Sequence, residues 1–322
     1  MSNSFSPIVE ILPLSVPTVY LDTNIVIELF KYSIGHCTDK QKDDIGKLYA
    51  VLQQAKEKGS ILCPSGNQLQ EIGFFERRIE CRRFYYSFLS PSFLSPNDIF
   101  HLQKRISFEA FKANNKAIIL NSIETIENEP FESRFIVDLS EKHDTTTAKN
   151  YSVQKKQLVE SLNKAKEKNY FCQNFDEQLR SELNNDFQLF EKYARGFNQN
   201  EELFSMSMSN WAEYHIITGD GFPPNPSIVE QYSSFLKSPY HHFLPSVWIQ
   251  SNLWALYASR PNKFKSGDNL DIRWVSAYLP YVDYAITDNA FCEAIKCLKI
   301  DDYYKTQVYS LQTINEFVDV LI

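Results

Sequence analysis

The sequence predicts an α/β fold: a small parallel sheet domain, residues 1–75 and 263–322, interrupted by a large and mostly helical insertion over 76–262. Three observations predict it. Strand and helix signals alternate through the first 80 residues, an alternation that means a parallel sheet with crossover helices. The last 60 residues repeat the same grammar. Between them the strand signals fade, and helical periodicity rich in Lys, Glu, Gln and Asn takes over.

Thr18-Val19-Tyr20-Leu21 is a β-prone run that ends at Asp22-Thr23-Asn24, and a helix is expected from Ile25 into Lys31. A second helix fits Asp43 to Lys58, with Gly59 as the residue that stops it. Ile61-Leu62-Cys63 reads as a short buried strand, and Ser65-Gly66-Asn67 as a turn capping a helix through Leu69, Ile72 and Ile79. Near the other end, Asp268 to Leu279 is helical and closed by Pro280, Tyr284 to Thr287 is a strand, and Asp288 to Leu298 is a helix. Gln307 to Ser310 is a strand, and Leu311 to Ile322 an amphipathic helix with Leu311, Ile314, Phe317, Val318 and Leu321 on one side. Within the insertion, Phe108 to Ile126, Ser152 to Lys168, Phe175 to Tyr193 and Leu244 to Tyr257 read as helices, and Asp144 to Lys149 as a polar, mobile loop.

With 322 residues, 43% of them hydrophobic, the chain can bury a sizeable core. A net charge of −7 argues against a coat that binds nucleic acid through bulk charge. It is compatible with metal-binding carboxylates beside a local basic strip. The six cysteines are scattered without a CxxC pair or a histidine at zinc spacing, as expected of reduced thiols in a cytoplasmic protein. Met1 to Val16 lack the basic and uninterrupted apolar stretches expected of a signal peptide, and no apolar run is long enough for a membrane span.

Four acidic residues fall where an open α/β sheet gathers its ligands, at the carboxyl ends of strands or in the helices that follow. Asp22 ends the first strand, Glu71 lies in the helix after the second, Asp271 in the first turn of a helix, and Asp288 at the end of the next strand. Carboxylates sharing one cleft repel each other unless a cation neutralises them. Oxygen ligands without Cys or His suit Mg²⁺ or Mn²⁺, and such an ion serves hydrolysis of a phosphate ester. Each acid also has a structural reading: an Asx turn for Asp22, a first-turn acid for Glu71, a capping pair for Asp268 and Asp271, an N-cap for Asp288.

Val19-Tyr20-Leu21-Asp22-Thr23-Asn24 resembles the opening strand and Asp-Thr/Ser-Asn of the PIN-domain nucleases. Asp271-Ile272-Arg273 through Leu279 resembles that family's third-acid helix, and Ala285-Ile286-Thr287-Asp288-Asn289 its Thr-Asp strand end. The resemblance covers roughly the first 75 and last 60 residues and is silent on the insertion. It implies a Rossmann-like sheet and Mg²⁺- or Mn²⁺-dependent endonucleolytic cleavage, of single-stranded RNA in preference to DNA. By position it makes Asp22, Glu71 and Asp271 metal ligands, with Asp288 binding directly or through water. Thr23, Asn24 and Thr287 are supporting residues, and Asp268 is the alternative third acid or an auxiliary one. The role could be that of a toxin, a defence enzyme or an RNA-processing enzyme. An inhibitory or activating protein partner and a homodimer are both compatible with it.

Arg77, Arg78, Arg82 and Arg83 follow Glu71, with Phe84, Tyr85 and Tyr86 beyond. Such a strip could track phosphates and stack unpaired bases, or could be a solvated helix face with core aromatics. His241-His242 with His215 and Asp220 lack metal spacing, and the four tryptophans suit packing. A haloacid-dehalogenase-like phosphatase would need a second Asp where Asn24 stands. A catalytically inactive PIN-like scaffold that binds RNA or a protein remains the alternative.

Overall fold

A computed structural model describes residues 6–12, 16–37, 41–63, 72, 78–89, 95–120, 145–195, 201–265 and 267–321. Among them run five strands: β1 (Ile8–Ile11), β2 (Val19–Leu21), β3 (Ala117–Leu120), β4 (Tyr284–Ile286) and β5 (Gln307–Tyr309). The chain is mixed α/β, mostly helical, with small parallel sheets. It divides into two compact units, one of residues 1–12, 97–122 and 165–263, the other of 13–96, 123–164 and 264–322.

The second unit holds a parallel sheet in the order β2-β4-β5, with Leu21, Ile286 and Tyr309 in register. A parallel bridge between Thr18 and Leu62 continues it beyond β2, closed by Val19 N–H to Leu62 O (2.8 Å) and Leu62 N–H to Pro17 O (2.9 Å). The expected strand at 61–63 is thus reduced to this bridge. Both faces of the sheet are covered, which is why its strands are apolar apart from the exposed Gln307 that opens β5. On one side Val19, Leu21 and Ile286 join Ile25, Leu29, Leu48, Leu52 and Phe317 in a buried core. On the other, Tyr20 stacks on Tyr278 with ring centroids 5.5 Å apart.

The helices that build this core are Thr23–Ser33, Lys42–Glu57, Arg78–Phe88 and Ile314–Leu321. Lys42–Glu57 stops at Gly59 as expected: φ of +65° lets Ser60 N–H reach Ala55 O and Gly59 N–H reach Lys56 O. The final helix buries Ile314, Phe317 and Val318, after a 3₁₀ turn at Leu311–Thr313 rather than one continuous helix.

The first unit pairs β1 with β3 in parallel, Val9 opposite Ile118. Its core is aromatic, with Phe108, Phe190, Tyr214, Tyr232 and Phe235 all buried. Trp211 packs edge-on against Tyr214 at 5.2 Å, and Trp274 of the other unit is buried, in line with packing roles. Two expectations fail in this unit. The helix expected over Phe108 to Ile126 ends at Lys112. Asn114 takes φ of +50°, Asn115 N–H bonds Ala110 O, and the chain turns into β3; residues 121–126 lie outside the described residues. The helix expected over Phe175 to Tyr193 divides into Phe175–Leu183, Asn185–Leu189 and a π-helical Phe190–Arg195. A third expectation also changes: Thr145 to Lys149 are not a loop, because Thr145–Glu167 is one helix. No helix among the described residues is long and apolar enough to cross a membrane.

Candidate active site

β2 and β4 are neighbours, so their carboxyl ends deliver Asp22 and Thr287 side by side. Asp22 is 2% exposed, its N–H bonds Ile286 O at 3.0 Å, and its Oδ2 accepts the Thr287 hydroxyl at 3.2 Å. Asp22 occupies the N-cap position of Thr23–Ser33, yet its side chain makes no cap bond to that helix. The carboxylate is held by the neighbouring strand end and not spent on the helix start. Beside it, Thr23 is buried, and its hydroxyl oxygen has no hydrogen-bond partner among the described residues. Asn24 is exposed.

Asp288 follows directly on Thr287. It is the N-cap of Asn289–Cys297, its Oδ1 accepting Phe291 N–H at 2.9 Å, so the structural reading of this residue is realised. Asp271 lies in the first turn of Asp268–Tyr278, partly buried, and the far end of that helix delivers the chain to the amino end of β4. Asp268 turns back instead, Oδ2 accepting Lys265 N–H at 2.7 Å. Glu71 and Arg77 lie outside the described residues, as does the Arg78 side chain. The donor chemistry of Asp22, Thr23 and Thr287, all hard oxygens at one strand edge, fits Mg²⁺ or Mn²⁺. Among the described residues no group of three or more His, Cys, Asp or Glu is arranged to hold a metal ion.

Of the basic strip, Arg83 is exposed and Arg82 partly buried, with its Nε buried and unpartnered among the described residues. The aromatics divide. Tyr85 is fully buried, and Phe84 stacks on Phe88 at 5.2 Å within the core. Tyr86 alone of the three is exposed. The histidines do not converge on a metal: His215 Nδ1 meets Asp220 O at 2.8 Å, and His241 Nε2 meets Asp186 at 3.1 Å.

One cation near Asp271 goes unsignalled in the sequence. Lys155 of Thr145–Glu167 comes close to Asp271, and nothing in its flanks sets it apart from Lys156 or Lys164.

No family model, no curated protein and no solved structure matches this chain.

Proposed function

We propose that the chain is a Mg²⁺- or Mn²⁺-dependent endonuclease of the PIN type that hydrolyses phosphodiester bonds in single-stranded RNA. The observation that carries this reading is the buried Asp22 carboxylate, held by Thr287 across the carboxyl ends of two adjacent parallel strands. The edge where strands of such a sheet end is where ligands bind, and a carboxylate there is a hard oxygen ligand suited to Mg²⁺ or Mn²⁺. The all-parallel order β2-β4-β5, extended by the Leu62 bridge, supports a Rossmann-like, PIN-like sheet. Asp22, Glu71 and Asp271 would hold the ion, with Asp288 contributing the oxygen not used in its cap. A bound ion of this kind activates water and stabilises charge developing on phosphate. Thr287 orients the Asp22 carboxylate, the Thr23 hydroxyl, without a hydrogen-bond partner among the described residues, offers a further oxygen, and Arg82 and Arg83 offer charge for the backbone.

A catalytically silent PIN-like scaffold that binds RNA or a protein is the second reading. It is favoured by the commitment of Asp288 to its helix cap and by the lack of a three-ligand group among the described residues. The test incubates the protein with labelled single-stranded RNA and DNA in Mn²⁺, Mg²⁺ or EDTA, beside an Asp22→Asn/Asp271→Asn variant. Metal-dependent cleavage that the variant loses supports the nuclease and names its polymer. No cleavage, with melting unchanged by Mn²⁺, leaves the scaffold.

A further inference from the structure

The segment that leads into Asp271 is fastened to Thr145–Glu167 by one side chain acting in both directions. Asn163 Nδ2 donates to Phe264 O at 3.1 Å, and Phe264 N–H donates to Asn163 Oδ1 at 2.8 Å. This two-way amide clamp sets the helix beside the entry to Asp268–Tyr278. About two turns earlier on the same helix stands Lys155. Gly267, with φ of +116°, marks where the two elements meet: a Cβ there would lie 3.3 Å from Asp271 Oδ2 and 3.8 Å from Lys155 Nζ. Ammonium and carboxylate therefore face one point from two elements, and their separation cannot exceed the sum of those distances. Lys155 is partly buried, which keeps its charge from being fully screened.

A lysine beside an acid that serves as a metal ligand acts in two ways at once. Its charge competes with the cation for the carboxylate, and it offers a compact donor to a phosphate oxygen. We propose that Lys155 is a substrate-binding residue of the acidic site, taking a non-bridging phosphate oxygen of the nucleic-acid backbone next to Asp271. This inference rests on the nuclease reading, and it makes a helix from the middle of the chain part of the site. Glycine at 267 keeps side-chain atoms out of the space that Lys155 and Asp271 both face.

The test compares wild type with Lys155→Gln, Lys155→Ala and the charge-preserving Lys155→Arg. Two quantities are read on each folded protein. The first is the salt dependence of binding to a fluorescein-labelled oligouridylate in EDTA. The second is the Mn²⁺ concentration that half-saturates the rise in melting temperature, measured without RNA. Losing one phosphate contact lowers the log–log salt slope by about 0.7 for a single strand. The Gln and Ala variants are expected to show that flatter slope and several-fold weaker RNA binding, yet to bind Mn²⁺ more tightly than wild type. Arg is expected to keep the wild-type slope. A residue that only supports the fold would not move RNA and Mn²⁺ affinity in opposite directions. Wild-type slope and Mn²⁺ affinity in the Gln and Ala variants overturn the role of Lys155 and leave the nuclease reading standing. A wild-type protein that responds to neither Mn²⁺ nor the RNA overturns both.

Discussion

The Thr287 hydroxyl donates to the Asp22 carboxylate at 3.2 Å, joining residues 265 positions apart at the ends of neighbouring strands. Both are buried, so the bond is shielded from water. A hydrogen bond to a charged group contributes about 1.5–3 kcal/mol. Thr287→Val keeps the shape and removes the donor, and is expected to lower unfolding free energy by roughly that amount in a urea titration. Thr287→Ser, which keeps the hydroxyl, should recover most of it. On the proposed nuclease reading, cleavage should follow the same order, because the carboxylate loses its orienting partner.

Asp22 itself should behave oppositely with and without metal. Carboxylates gathered for a cation destabilise the protein when the cation is absent. Asp22→Asn retains an acceptor for Thr287 and removes a charge, so in EDTA its melting temperature should equal or exceed that of wild type. Saturating Mn²⁺ at a hundredfold excess over Kd stabilises a native site by about 2.7 kcal/mol. The wild type should gain on that order and the Asn variant almost nothing. An Asn variant that melts lower in EDTA and still responds to Mn²⁺ would remove Asp22 from the metal site.

How far the sequence reveals this molecule depends on how local each signal is. Gly59 is legible because a left-handed helix stop favours glycine, and φ of +65° bears it out. β2, β4 and β5 are legible because buried parallel strands are short apolar runs, broken here only by Gln307 at the start of β5. β1 and β3 are not: Ile8 and Ile119 are exposed while Ile118 and Leu120 are buried, a half-covered pair whose short runs look like helix or linker. Asparagine at 114 in the left-handed region does the work of a glycine stop without announcing it. At the site, Asp22 and Thr287 can be anticipated because each ends a strand. Lys155 cannot, since its place beside Asp271 depends on tertiary packing around Gly267 and on the Asn163 clamp.

In the helical unit, Lys104 is buried and ion-paired with both Asp186 (2.6 Å) and Glu213, while Asp186 also meets His241. Burial opposes the charge on Lys104, yet the two carboxylates outweigh it and hold its pKa above the ordinary value. Removing Lys104 leaves two carboxylates, each about a third exposed, without their shared counterion, and solvent screening brings the cost below the roughly 3–5 kcal/mol of a fully buried pair. Lys104→Met is therefore expected to be among the most destabilising single changes in this unit. Lys104→Met with Asp186→Asn and Glu213→Gln should recover part of the loss, and urea denaturation of the single and triple variants measures both.

His242 gives this unit an acid sensitivity whose sign can be worked out. Burial pushes its pKa down to about 4, and the neighbouring His241 adds to the effect. The unfolded chain takes up the proton near the ordinary value of about 6.5, whereas the native ring stays neutral until near 4. Protonation thus favours the unfolded state throughout that interval. The contribution is complete above pH 6.5 and is lost as the pH falls toward 4. Because the ring is only partly buried, the loss should be on the order of 1 kcal/mol rather than the full value of the shift. His242→Phe, which cannot titrate, should melt with a flatter pH profile between 6.5 and 4, while the two proteins run parallel above pH 7. Identical profiles across the acid range would show that the ring is already solvated in the native protein.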